Sequence, residues 1–220
     1  SDADVLKAKA TAGNIRSQLT QLGFDPTVFD NSISEIEVLL AAEDIINLAK
    51  LISKIYGCFC PEQYDNELNI DAHKTITAVE IEQQLQENGD SLENYRIMCA
   101  FGTGGTSGGI SKYMNEKYSK KAIHVVFPSA GQDVAGIRTK AKAEGLKLYN
   151  PDSYEAEHEV DFGQAKHLLK FFVEKGHNIG ESTALALYSV LEMVSDGDKG
   201  KFIVIVADGI EKYKKNLEAM

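Results

Sequence analysis

A chain of 220 residues, 43% hydrophobic and 25% charged, can bury a sizeable core as one large domain or one and a half smaller ones. Its 23 basic residues against 33 acidic ones leave a formal net charge of -10, which argues against a broad nucleic-acid face. No apolar run approaches the roughly 20 residues of a membrane helix, and no leader-like segment opens the chain, so a cytoplasmic protein is expected.

In chain order, residues 3–22 read as a helix stopped by Gly23, and "FDPTVFD" (24–30) as a short strand. The apolar positions Ile36, Leu39, Leu40, Ile45, Leu48, Leu51 and Ile52 predict one long helix from Ile33 to Ile55, closed by Gly57. "GCFCPEQYDNELNID" (57–71) reads as a strand end and a polar loop. A helix over about 71–86 follows, with Asp71 as its N-cap. "YRIMCAF" (95–101) and "AIHVVFP" (122–128) are continuous apolar runs of the kind buried on both faces, with a helix over about 106–117 between them. Residues 136–154 read as a surface connection, and "EAEHEVD" (155–161) as a strand of alternating polarity. Helices over 162–175 and 182–195, the strand "KFIVIVAD" (201–208) and a last helix from Ile210 complete the chain. Strand–helix alternation of this kind predicts an α/β fold, a largely parallel sheet with helices on both faces. Residues 1–57 are expected to form part of a smaller N-terminal lobe, and 58–220 the large domain.

Cysteines are few. Cys58, Cys60 and Cys99 read as buried thiols in a reducing compartment, and no metal site is expected, since zinc usually takes four ligands.

The stretch "FGTGGTSGGISKYM" (101–114) places five glycines in eight positions between a strand and a helix. Ligands of open α/β sheets sit at such strand ends. Glycine backbone allows close approach, and the free amides of a helix's first turn make an anion site. Phosphate is the natural ligand; the alternative is a tight turn with nothing bound. The loop lacks the Gly-Lys-Ser/Thr ending of a Walker motif and the spacing of a dinucleotide fingerprint.

"GTGGTSGGISKYM" resembles the phosphate-binding loop of fold-type II pyridoxal-phosphate enzymes of the cysteine synthase group, which includes O-acetylserine and O-phosphoserine sulfhydrylases. Three further stretches resemble that family in the same order: "QYDNELNIDAHKTITAVEI" (63–81), "GHNIGESTALAL" (176–187) and "FIVIVADGIEKY" (202–213). The resemblance covers roughly residues 15–215 and implies a tryptophan synthase beta-like architecture with pyridoxal 5'-phosphate as cofactor. It implies that Gly102, Thr103, Gly104, Gly105 and Thr106 hold the cofactor phosphate and that Ser182 meets the pyridine nitrogen. At Ser182 a plain helix N-cap is the other reading, and Glu181 and Ala184 depart from the family pattern. Gln63 matches the glutamine that helps hold substrate carboxylate, against an ordinary loop amide. Arg138, in a Gly-Ile-Arg also found in O-phosphoserine sulfhydrylase, matches the residue that meets substrate phosphate. A solvated basic loop with Lys140 and Lys142 is the alternative there.

The family's Schiff-base lysine belongs to an upstream segment with no counterpart here, so no catalytic residue is assigned. Lys7 and Lys9 lie in the first expected helix, and Asn14 of "TAGN" is only nine residues from Gly23, too near for the family's carboxylate loop. The chain is therefore expected to begin inside the small domain, as the C-terminal part of a cysteine synthase-like enzyme. Such an enzyme performs β-replacement on O-phosphoserine or O-acetylserine with sulfide. The alternatives are a naturally truncated homologue that binds a phosphate ligand or a protein partner without catalysis, and a structural remnant with an empty loop. The partners implied are a small amino-acid substrate and a second copy in a homodimer, with no nucleic acid and no membrane.

Overall fold

Apolar runs flanked by amphipathic ones leave the backbone one economical arrangement, in which strands bury both faces and helices cover them. A computed structural model, which describes residues 17, 20–21, 25–29, 32–42 and 44–213, has this arrangement. The chain divides into two units, Ser1–Glu62 and Gln63–Met220.

In the first unit, α1 (Ile33–Ala41) and α2 (Ile45–Tyr56) replace the single long helix expected from periodicity. The break has a local cause: the Asp44 carboxylate accepts the Asn47 N–H at 3.1 Å and so starts a new helix. Gly57 ends α2 at φ 62°, its N–H returning to the Ser53 carbonyl. The strand expected at 24–30 is instead a 3-10 turn, Pro26–Phe29. Asp25 accepts both the N–H and the hydroxyl of Thr27, which curls the chain, and Pro26 could not donate to a ladder. The helix expected over 3–22 lies almost wholly outside the described residues. Cys58 is exposed and Cys60 half-buried, against the expectation of buried thiols. Cys99 does fit that expectation, and burial pushes its thiol up to about 12.

The strand end expected at the start of 57–71 is turn and coil, and the second unit opens on a turn. Its first helix starts at Leu68, before the expected Asp71, because the Asn66 side chain accepts the Leu68 N–H. That helix runs as α3 (Leu68–Ala72), one π-helical stretch (His73–Thr77) and α4 (Ala78–Glu87). Next come β1 (Tyr95–Ala100), α5 (Gly105–Tyr118), β2 (Ile123–Pro128), the short α6 (Lys140–Ala143) and β3 (Ala156–Val160). Finally α7 (Phe162–Glu174), α8 (Glu181–Ser195) and β4 (Lys201–Val204) precede a 3-10 turn, Ile210–Tyr213; the rest of the helix expected from Ile210 lies outside the described residues. The connection at 136–154 is less superficial than its polarity suggests, since Ala143, Leu148 and Tyr154 are buried.

All strand pairings are parallel, in the order β3-β2-β1-β4. The alternation of strand side chains divides the core between two faces. Ile97, Cys99 and Phe101 pack with Ile110 and Met114 of α5 and Ala78 of α4 on one face. Met98 and Val126 pack with Ala165 and Leu169 of α7 and Leu185 of α8 on the other. From β1 the chain winds outward through β2 to β3, then crosses back to place β4 on β1's other side. This reversal beside β1 is the topological switch point at which open α/β sheets bind ligands. No helix among the described residues is long and apolar enough to cross a membrane.

A pair of histidines, one buried and one half-buried, lies on adjacent strands β2 and β3. His124 Nδ1 lies 2.8 Å from His158 Nε2, with the rings stacked. Burial lowers both pKa values; Glu155 opposes that shift at His124, while the Arg96 guanidinium reinforces it. Burial lowers His73 as well. All three folded values lie below the ordinary imidazole value of about 6.5, so folding favours the neutral rings. Stability is therefore full above about pH 6.5 and falls as pH drops through the folded values. We expect a lower urea midpoint at pH 5 than at pH 7.5, and a smaller difference in a His124→Leu chain. Equal midpoints in the wild-type chain would contradict this reading.

Candidate functional site

Phe101, which follows β1, ends the strand run with its ring fully buried, 5.4 Å from Phe127 and 5.5 Å from Tyr149 between ring centres. The chain then turns through Gly102, Thr103 and Gly104 into α5. Gly104 has φ 91°, and a side chain there would meet the Leu148 carbonyl oxygen at 2.8 Å. This position requires glycine on both counts. The first intrahelical bond runs from the Gly108 N–H to the Gly104 carbonyl at 2.9 Å. The amides just before it have no acceptor within the helix, and Thr103 Oγ1 takes only that of Gly105. A cup of N–H groups therefore opens at the carboxyl end of β1, reinforced by the positive end of the helix.

The remaining glycines serve packing. Gly105, Gly108 and Gly109 form one stripe of α5 at i, i+3 and i+4, and α3 lies against it. A Cβ at Gly109 would meet His73 Cβ at 2.5 Å and the Ile70 carbonyl at 2.6 Å; one at Gly105 would meet Asn69 Oδ1 at 2.1 Å. This close approach lets α3 and the π-helical stretch hold the loop. Asn69 Nδ2 donates to Thr103 Oγ1 at 3.0 Å and to the Gln63 carbonyl at 2.8 Å. His73 Nε2 meets Thr106 Oγ1 at 3.2 Å, and its Nδ1 meets Thr77 Oγ1 at 2.9 Å. Burial lowers the pKa of this imidazole and so favours its neutral form.

Arg138 approaches from the other side. Its N–H donates to the Phe101 carbonyl at 2.8 Å, and its Nη2 donates to Tyr64 Oη, also at 2.8 Å. Its Nε is buried without a partner. The solvated basic loop does not describe this guanidinium. A chain of bonds thus links Gln63, the glycine loop and Arg138, although Gln63 takes part through its backbone and its side chain is exposed.

Ser182 belongs to the first turn of α8. As a crossover helix between parallel strands, α8 starts at the carboxyl end of the sheet, the end that holds the glycine loop. The Gly180 N–H bonds to the Asp208 carbonyl just beyond β4. Ser182 does not cap its helix: Gly180 is the N-cap, without a side-chain bond. The hydroxyls of Ser182 and Thr183 are buried and unpartnered, 7% and 1% of each residue being exposed. An unpaired buried hydroxyl costs about 1–3 kcal/mol, which a ligand at this end of the sheet would relieve.

Reading the residues alone missed Asn69, His73 and Tyr64. The spacing Asn69-x-x-x-His73 was available as a signal, since i and i+4 on a helix share a face.

A profile of the pyridoxal-phosphate dependent enzyme family matches residues 5–209. A cysteine synthase of Staphylococcus aureus is 26% identical over 174 residues, covering 76% of this chain and 55% of its own. A probable cysteine synthase of Bacillus subtilis is 28% identical over 173 residues, covering 74% and 55%. Among solved structures, an O-ureido-L-serine synthase aligns with a TM-score of 0.64 at 19% identity, over 76% of this chain and 54% of that one. A hydrogen sulfide-producing enzyme from Fusobacterium nucleatum aligns with a TM-score of 0.59 at 24% identity, over 75% and 52%. The chain spans about half the length of the relatives it matches.

Proposed function

The chain belongs to the pyridoxal-phosphate dependent enzyme family and is cysteine synthase-like in sequence; from that premise we propose that the whole protein performs β-replacement on an O-substituted serine with sulfide. We propose O-phosphoserine as the amino-acid substrate ahead of O-acetylserine, and a cytoplasmic homodimer, as the resemblance implies, as the working form. Pyridoxal phosphate is the family's cofactor, and its ring supplies an electron sink for negative charge at the substrate's Cα.

The residues present fit that group. The amides of residues 103–106 and the Thr106 hydroxyl bind its phosphate, with Asn69 and His73 holding the two threonines in place. Ser182 offers the pyridine nitrogen a neutral hydroxyl, and the absence of a bond to Ser182 Oγ among the described residues supports this role. A neutral hydroxyl partner would leave the ring a milder electron sink than a carboxylate, which would hold the nitrogen protonated, and this suits elimination at Cβ. Gln63 is assigned to the substrate carboxylate because the resemblance implies it.

The observation that carries the choice of substrate is the half-buried Arg138, fixed by Phe101 and Tyr64 with Nε left unpaired. A guanidinium fork matches phosphate oxygens with two parallel bonds and stabilises phosphate as it leaves. An acetyl ester offers no such charge.

Calorimetric titration of the 220-residue chain with O-phospho-L-serine tests this choice. We expect Arg138→Ala to weaken binding at least about tenfold while leaving binding of pyridoxal phosphate unchanged. Tyr64→Phe, which removes one bond to the guanidinium, should cost about 0.5–1.5 kcal/mol. Equal affinity for O-phosphoserine in wild-type and Arg138→Ala chains would overturn the choice of substrate.

A further inference from the structure

Beside the glycine loop, a cavity of about 390 Å³ is lined by none of the residues proposed to meet cofactor or substrate. We propose that it is a second binding site, for a free zwitterionic amino acid with an apolar side chain.

One wall is a single stripe of α5, Gly108, Ser111, Lys112 and Asn115, at i, i+3, i+4 and i+7. Ile70 and Leu148 supply an apolar floor. A Cβ on Gly108 would stand 3.1 Å from Ile70 Cδ1, so glycine at 108 keeps this floor clear.

The charges around the floor have both signs. Lys112 and Lys121 line the cavity together with Glu67 and Asp152. Lys112 and Glu67 are engaged in exposed pairs, with Asp71 at 3.3 Å and Lys147 at 3.6 Å, of a kind worth little. Lys121 and Asp152 make no ion pair among the described residues. Ser111 is 4% exposed, and its hydroxyl has no partner.

A simple anion would meet two carboxylates here, and a simple cation two ammonium groups. A zwitterion satisfies both sets: its carboxylate faces Lys112 and Lys121, its ammonium faces Asp152 and Glu67, and its side chain lies on Ile70 and Leu148. The volume suits a free amino acid and lies in the usual range of small-molecule pockets. Leu148 connects the two sites, since its carbonyl backs Gly104 while the residue lines this cavity.

The test uses L-leucine as probe in a calorimetric titration of the 220-residue chain, with and without saturating inorganic phosphate. N-acetyl-L-leucine and L-leucinamide, each lacking one charge, serve as comparisons. We expect L-leucine to bind at millimolar concentration, and each derivative to bind at least about tenfold more weakly. Lys121→Met and Asp152→Asn, both at exposed positions, should each cause a loss of the same size. Phosphate should not compete. Because the glycine loop takes no part, failure of the proposed β-replacement would leave these results unchanged. The assignment is overturned by no binding of L-leucine, by derivatives that bind equally well, by unchanged binding in both variants, or by competition with phosphate.

Discussion

A Gly105→Val chain will fold and yet hold phosphate at least about tenfold more weakly than wild type. The new Cβ would stand 2.1 Å from Asn69 Oδ1 and 2.4 Å from its Cγ, and these atoms belong to a side chain that can swing away. The backbone therefore survives, but Asn69 leaves both Thr103 and the Gln63 carbonyl. Asn69→Ala removes the same bonds without adding bulk and should weaken phosphate by a similar factor. The double variant should be little worse than either single one, because both changes open one lock. Calorimetric titration with inorganic phosphate measures all three chains. Additive losses would show that Gly105 acts on the anion by a route other than Asn69.

Phe101→Ala will cost the fold about 3–5 kcal/mol. The ring is 1% exposed and packs on Phe127 and Tyr149. It also lies 3.1 Å from the place a Gly104 Cβ would take, so it backs the turn directly. Its loss leaves a cavity beneath the glycine loop, in contrast to the Asn69 variant, which leaves the core whole. Urea denaturation should show a sharply lower midpoint for Phe101→Ala and a nearly unchanged one for Asn69→Ala. A Phe101→Ala midpoint within error of wild type would mean that the ring contributes nothing beneath the loop.

The parallel sheet was legible because its central strands β1 and β2 are buried on both faces and so read as unbroken apolar runs. Misreadings concentrate where a short polar side chain overrides a longer pattern. The periodicity of residues 33–55 runs straight through Asp44, whose carboxylate starts a second helix. Asp25 and Pro26 curl a stretch that reads as a strand, and Asn66 starts a helix ahead of Asp71. Within the site, the cup after β1 was legible from glycine chemistry. The packing role of Gly105 and Gly109 was not, because it depends on a helix more than thirty residues earlier in the chain. Arg138 shows the same limit in reverse. Its basic neighbours suggest a solvated loop, and only the folded chain brings Tyr64 and the Phe101 carbonyl to it.

We propose that the cup of amides between β1 and α5 holds the cofactor's phosphate. Equilibrium dialysis of the 220-residue chain against pyridoxal phosphate and against pyridoxal, its phosphate-free counterpart, tests it most directly. The phosphate-bearing form should bind at least about tenfold tighter. Inorganic phosphate should compete with it, and the Gly105→Val substitution should erase the difference between the two forms. Equal binding of the two forms, indifferent to added phosphate, would contradict the claim.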